Sequence, residues 1–244
     1  MTTTVPDTTV PDTALTWNPV PEITPRGTVL LLPGRGEHPG VYARFGRRLA
    51  FDGYVVRALA GPEGLAALVA EARELNAPVV LAGSDTGALA ALAEAELAGP
   101  DALLLVGVPG EAGDWTDELA VRTACPTHRG QLAEDPAFRA GDLARAVPAD
   151  LAAAAAAATP TVPVLLLHGA ADPVAPADGA RALAARLPGA ELVLVTDGLH
   201  DVLNDAPHRT VAARIVQWLE RLRLGTGLPP LLTEVPAAQE GTRP

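Results

Sequence analysis

Apolar positions in this chain fall into short unbroken runs, and between the runs apolar and polar residues recur at a spacing of three to four. The runs Thr28 to Leu32, Tyr54 to Leu59, Val79 to Ala82, Ala102 to Val106, Val164 to Leu167 and Glu191 to Val195 read as β-strands. Almost every position in them is apolar, as expected of strands covered on both faces; a sheet with one wet face would alternate. Val41 to Phe51, Gly64 to Leu75, Ala88 to Leu97, Asp178 to Leu187 and Pro207 to about Leu224 read as helices, the last with Val211, Ile215, Trp218, Leu219 and Leu222 on one face. Alternation of buried strands with amphipathic helices predicts an α/β domain with a mostly parallel sheet flanked by helices. The rhythm breaks from about Pro109 to Pro160, where a loop-rich stretch from Trp115 to Arg129 is followed by Pro136, Pro148 and an alanine run. That interval is expected to be a small lid insertion.

The rest of the organisation follows from composition. Residues 1–16, with their repeated Thr-Val-Pro-Asp-Thr, and residues 225–244 carry too little apolar surface to offset the entropy of ordering, and are expected to be mobile tails around a single domain at 17–224. A chain of 244 residues with 48% hydrophobic content has ample material for one core. All 18 basic residues are arginines, against 29 acidic ones, and the net charge of -11 argues against nucleic acid or an anionic membrane as partner. Lacking lysine, the chain has no Schiff-base chemistry. Cys125, the one cysteine, permits no internal disulfide and no cysteine-rich metal site, so neither metal nor other cofactor is expected. No apolar run reaches the roughly 18 residues that span a bilayer, and the start has no signal-peptide pattern. The expectation is a cytoplasmic monomer or homodimer acting on a small molecule, without membrane insertion.

The candidate chemistry begins where the third apolar run meets Gly83-Ser84-Asp85-Thr86-Gly87 and passes into an alanine-rich helix. Glycines on either side allow a turn so sharp that the middle residue is held in a strained conformation above the sheet, the geometry of a nucleophile elbow. Gly-x-Ser-x-Gly places serine in the middle. Here the middle residue is Asp85, and Ser84 stands one position early, where the elbow would not expose it. Two further features follow in order. The strand ending at Leu167 leads into His168-Gly169-Ala170-Ala171-Asp172-Pro173, and the strand ending at Val195 leads into Thr196-Asp197-Gly198-Leu199-His200-Asp201-Val202-Leu203-Asn204. Both Asp172 and His200 thus lie beyond carboxyl ends of strands, where open α/β sheets build their sites.

Elbow, acid and histidine in this order resemble the α/β-hydrolase family. Pro33-Gly34-Arg35-Gly36-Glu37-His38-Pro39-Gly40-Val41-Tyr42 is similar to the His-Gly-x-Gly-Glu-His segment of its monoacylglycerol lipase and lysophospholipase-like branch, and His200-Asp201-Val202-Leu203-Asn204 is similar to that branch's histidine block. The resemblance covers roughly residues 27–224. It implies a site of Asp85, His200 and Asp172, with Asp172 orienting His200 and the backbone N–H groups of Arg35 and Thr86 forming an oxyanion hole. The chain departs from the branch at Pro33 for histidine, at Asp85 for serine, and in the shortened loop Ala60 to Gly64.

A carboxylate at the elbow changes the expected reaction. Aspartate attacks an epoxide or carbon–halogen carbon to give an alkyl ester that histidine-activated water then hydrolyses, whereas acyl transfer to a carboxylate would give a mixed anhydride. Relatives with that chemistry carry tryptophan after the aspartate and lid tyrosines or halide donors. Here Thr86 follows Asp85, neither Tyr42 nor Tyr54 lies in the lid, and Trp115 is the one lid tryptophan and the candidate wall of a substrate pocket. The main expectation is a hydrolase-like enzyme, either with an Asp85 nucleophile or as an atypical ester hydrolase. The alternatives are an acid–base enzyme for cyclisation, elimination or rearrangement, and a catalytically inactive binding protein of the same fold. His38 and His128 are expected to be structural or lid residues, and Cys125 a small buried one.

Overall fold

A computed structural model describes residues 14–232; of the tails expected at 1–16 and 225–244, residues 1–13 and 233–244 lie outside the described residues. Among the described residues seven strands form one sheet: β1 (Leu15–Trp17), β2 (Thr28–Leu32), β3 (Val55–Ala58), β4 (Val79–Ser84), β5 (Ala102–Val106), β6 (Val164–Gly169) and β7 (Glu191–Val195). Their spatial order is β1-β3-β2-β4-β5-β6-β7, with β1 antiparallel to β3 and all other pairs parallel. The helices are α1 (Ala43–Phe51), α2 (Leu65–Leu75), α3 (Thr86–Ala98), α4 (Glu118–Arg122), α5 (Pro126–Glu134), α6 (Ala149–Ala157), α7 (Ala177–Arg186) and α8 (His208–Arg223).

The pleat divides the strand side chains between two apolar layers. Val29 and Leu31 of β2 face the layer that holds Phe45 and Leu49 of α1 and Ile215, Trp218 and Leu222 of α8. Leu30 and Leu32 face the other layer, with Val69 of α2, Ala91 and Leu92 of α3 and Ala180 of α7. Every residue of β2, β4, β5 and β6 is buried, whereas edge strand β7 is only half-buried. Each fully buried Val or Leu contributes about 1.5–3 kcal/mol, against roughly 0–1 kcal/mol for an exposed ion pair such as Arg73–Asp101. The apolar runs therefore dictate the sheet. Chain order reverses between β2 and β4, and the loops leaving their carboxyl ends meet in the crevice where such sheets bind ligands.

Three expectations change. The ordered chain starts earlier, because β1 pairs with β3 from Leu15 and Trp17 packs onto α1 at Gly46, where a Cβ would collide with the indole. It also runs past residue 225: Leu228 is buried and its carbonyl accepts from Arg221 Nη2 at 2.6 Å. Finally, the interval expected as one lid is two structures. Ala155 of α6 joins the apolar layer with α3, so that helix is part of the domain's flank. Residues 118–145 instead close against the loops that leave β2 and β7, with Arg139 donating its N–H to the Gly36 carbonyl at 2.9 Å.

Candidate active site

Asp85 joins β4 to α3 with φ 50 and ψ -122, a strained conformation for a residue with a side chain. Both flanking glycines are required by close approach. A Cβ on Gly83 would run into the backbone of Gly87, and one on Gly87 would run into the carbonyls of Leu32 and Pro33. The turn is pinned to the neighbouring strand by a 3.0 Å bond from the Asp85 N–H to the Val106 carbonyl. Asp85 is consequently held rigidly, and the residue is 2% exposed.

Asp172 and His200 converge on it. Asp172 follows β6, and its Oδ1 accepts the N–H groups of Val174 and Ala175 at 2.8 and 3.1 Å, which fixes the carboxylate. Its Oδ2 lies 2.8 Å from His200 Nδ1, and His200 Nε2 lies 3.3 Å from Asp85 Oδ1. Burial alone would lower the His200 pKa, but the hydrogen bonds and charges of Asp172 and Asp85 override it and raise the value to about 10. The resting imidazole is thus a cation between two carboxylates. His168 also faces Asp172, at 3.5 Å, while its Nε2 lies 2.7 Å from the Ala175 carbonyl; burial holds its pKa below the usual histidine value.

The Arg35 side chain is the largest departure from the reading by sequence, which gave that residue only a backbone role. Its N–H and Nε both donate to Asp85 Oδ2 at 2.8 Å, and Nη2 donates to Oδ1 at 2.8 Å. Nη1 reaches the Arg145 carbonyl at 2.5 Å. Burial would raise the Asp85 pKa, but hydrogen bonds from His200 and Arg35 reverse the effect and hold it well below the usual carboxylate range. Asp85 is therefore an anion, with Oδ2 on the backbone N–H and Nε of Arg35 and Oδ1 shared by Arg35 Nη2 and the imidazolium.

A second buried cation backs this constellation. Arg122 of α4 is fully buried and donates Nη2 to the Arg35 carbonyl at 2.5 Å, Nη1 to Asp201 Oδ1 at 3.3 Å and Nε to Glu118 Oε1 at 2.9 Å. Its Nη1 also stands 3.6 Å from Glu37 Oε1. Glu37 accepts from Tyr42 Oη and, at 3.0 Å, from the Gly34 N–H; burial and the Asp201 charge push its pKa up. Asp205 accepts from Thr123 Oγ1 at 2.9 Å, the Ala124 N–H at 2.6 Å and the Leu199 N–H at 2.8 Å, which ties the inserted segment to the histidine loop.

Thr86 is the first residue of α3, directly after Asp85. Ser84 ends β4, buried and paired in register with Val106. Trp115 does not join Asp85. It lines a cavity of about 460 Å³ with Val108, Pro109, Gly110, Val174 and Pro176, so the cavity lies between the segments leaving β5 and β6 and none of Asp85, Asp172 and His200 lines it. His38 bridges to Asp135 at 2.7 Å, and buried His128 faces Asp201 at 3.5 Å. Cys125 is buried with Arg44 Nη1 3.3 Å from its sulfur. Arg122, Glu37, Asp201, Asp205 and His168 received no role from the sequence, although Glu37 and Asp201 stand inside the two segments that carry the family resemblance.

A family model described as TAP-like protein matches residues 143–227, a stretch that takes in Asp172 and His200 but stops short of Asp85. Comparison with curated protein sequences gives no match. Among solved structures, the chain is similar to a monoacylglycerol lipase of Paleococcus ferrophilus, with 21% identity, a TM-score of 0.68 and coverage of 85% of this chain and 97% of that one. A soluble variant of monoglyceride lipase from Saccharomyces cerevisiae, in complex with a substrate analog, has 17% identity and a TM-score of 0.68 over 85% of this chain and 90% of that one. The enol-lactonase from Burkholderia xenovorans LB400 has 15% identity and a TM-score of 0.59 over 85% and 96%. Identities this low speak for architecture, and strand order, elbow and chain length agree with it: the chain has the α/β-hydrolase fold.

Proposed function

We propose that this chain is a hydrolase of small organic molecules in which Asp85 is the nucleophile, His200 the base and Asp172 its orienting acid. The observation that carries the reading is the disposition of the Asp85 carboxylate. One oxygen lies on the Arg35 N–H at 2.8 Å and the other faces His200 Nε2 at 3.3 Å, with Asp172 2.8 Å behind the imidazole. Attack by Oδ1 on an epoxide or carbon–halogen carbon forms an alkyl ester and breaks the carbon–oxygen or carbon–halogen bond. Halide departs with its electron pair. An opening epoxide oxygen takes the His200 proton, which leaves the imidazole neutral.

Esterification also removes the Asp85 charge that holds the His200 pKa up, so the neutral imidazole becomes accessible near neutral pH. It then deprotonates a water that attacks the Asp85 carboxyl carbon, while Oδ2 carries the developing charge on the N–H groups of Arg35 and Thr86. Collapse expels the alkoxide, which takes the proton back from His200 and leaves as the alcohol, and the remaining carboxyl proton passes to the imidazole, so that the Asp85 carboxylate and the His200 cation are regenerated. The cavity of about 460 Å³ beside Trp115 is the candidate space for the apolar part of the substrate, since Val174 and Ala175 of its wall donate their N–H groups to Asp172.

A second reading rests on the Arg35 guanidinium, which engages both Asp85 oxygens and weakens them as nucleophiles. It favours Asp85 and His200 as an acid–base pair for elimination, cyclisation or rearrangement. Turnover of epoxide, haloalkane and ester panels in ¹⁸O-water, followed by mass analysis of the Asp85 peptide, separates the two. The ester mechanism places solvent oxygen in the Asp85 carboxyl group. Product formation with an unlabelled Asp85 would sink the nucleophile reading and leave the acid–base one.

A further inference from the structure

Arg122 holds both halves of the site from outside it. Its guanidinium donates to the carbonyl of Arg35, whose N–H and side chain grip Asp85, and to the carboxylate of Asp201, the residue after His200. Its own backbone carbonyl accepts the Asp201 N–H at 2.8 Å, so Asp201 is clasped by side chain and main chain together. Phe138 covers the guanidinium, with the ring centroid 5.1 Å from its central carbon. A cation in such surroundings is tolerated only with every donor engaged, and its planar fork sets fixed distances among its acceptors. Those acceptors lie 79 and 87 residues away in sequence, on the two loops whose separation sets the Asp85–His200 contact. By contrast, that contact is one of the longest in the constellation, 3.3 Å, and nothing on β4 or β7 alone determines it.

We propose that Arg122 is the positioning residue of this site: by spanning the Arg35 carbonyl and Asp201, it sets the distance between Asp85 and His200, and the site is assembled only when the inserted segment is docked. The catalytic consequence rests on Asp85 and His200 being the reacting pair; the geometric claim does not. Lysine in place of Arg122 keeps the charge, but its single ammonium cannot span both acceptors.

The test is the titration of His200 in full-length wild type and Arg122→Lys, followed by ¹H–¹⁵N NMR of the imidazole and assigned by its loss in His200→Gln. Groups facing this imidazole are Asp172 and His168 from the end of β6, Asp85 from the elbow with Arg35 behind it, and Asp201 from its own loop with Arg122 and His128 beyond. Among these only the Asp85 contact is expected to lengthen. The His200 midpoint should fall by at least one pH unit in the variant, and labelling of Asp85 by 1,2-epoxybutane, read by intact mass, should slow at least tenfold with little change in the concentration giving half-maximal rate. If Arg122→Lys does not fold, the charge-balanced pair Arg122→Gln with Asp201→Asn takes its place. A folded variant with the wild-type His200 midpoint overturns the proposal. Failure of every electrophile to label the wild type counts against the nucleophile reading alone, because the titration needs no substrate.

Discussion

At the scale of single residues, the site is governed by where charge is placed. His200 has a folded pKa of about 10 against a usual value of 6.5, so the native state binds its proton more tightly than the unfolded chain does. The stabilisation is fully present below about pH 6.5 and is lost as pH rises through about 10. Thermal stability of the wild type should therefore decline across that window, and His200→Gln, which carries no titrating proton, should show a flatter profile. Burial and the Arg44 hydrogen bond act in opposite directions on Cys125, and the net effect lowers its pKa. Its contribution has the opposite sign and is common to both proteins, so the difference between the profiles isolates His200. Parallel profiles would mean that the imidazole is not held as a cation between Asp172 and Asp85.

At the scale of elements, the elbow depends on two residues that lack a side chain, Gly83 and Gly87, and the space around a glycine decides what an alanine does there. Gly83→Ala places a methyl group into the backbone of Gly87 at the start of α3, where neither partner has a rotamer to yield. The expected cost is about 1–3 kcal/mol or more. Gly130→Ala, inside α5, meets nothing within 4 Å, and there the better helix former should stabilise by about 0.5–1 kcal/mol. Chemical denaturation of the two variants checks both signs. A Gly83→Ala protein as stable as wild type would show that β4 and α3 are packed more loosely than the turn requires.

At the scale of the whole molecule, the inserted segment is joined to the domain through buried polar groups. Asp205 is the clearest joint, because its two oxygens satisfy Thr123 and Ala124 on one side and Leu199 on the other. Removing it takes the acceptor from the buried Thr123 hydroxyl and from the part-buried Ala124 and Leu199 N–H groups, at roughly 1–3 kcal/mol for a buried donor and less for a part-buried one. Asp205→Ala should thus lower stability by about 3 kcal/mol and open residues 118–134 to hydrogen exchange before the sheet. Exchange that rises uniformly over the chain would instead indicate that this segment and the domain unfold as one unit.

These joints also mark the line between what could be read along the chain and what could not. Buried strands, the flanking helices and the face of α8 follow from hydrophobic period, because burial on one or both sides leaves a local record in the sequence. The elbow is local too: two glycines at fixed spacing are what a turn of that tightness requires, so Asp85 is identifiable, and the order of Asp85, Asp172 and His200 follows from strand ends that share one edge of a parallel sheet. The short strand β1 escaped notice because three residues are too few to show a period, and it is made by pairing with β3 and by the space over Gly46. Tertiary structure alone decided the electrostatics. Arg35 meets Asp85 across 50 residues, and Arg122 meets Arg35 and Asp201 across 87 and 79. An ion pair over such distances has no periodicity and no preferred spacing; it exists because burial makes an unpaired charge prohibitive, and folding decides which opposite charge lies within reach.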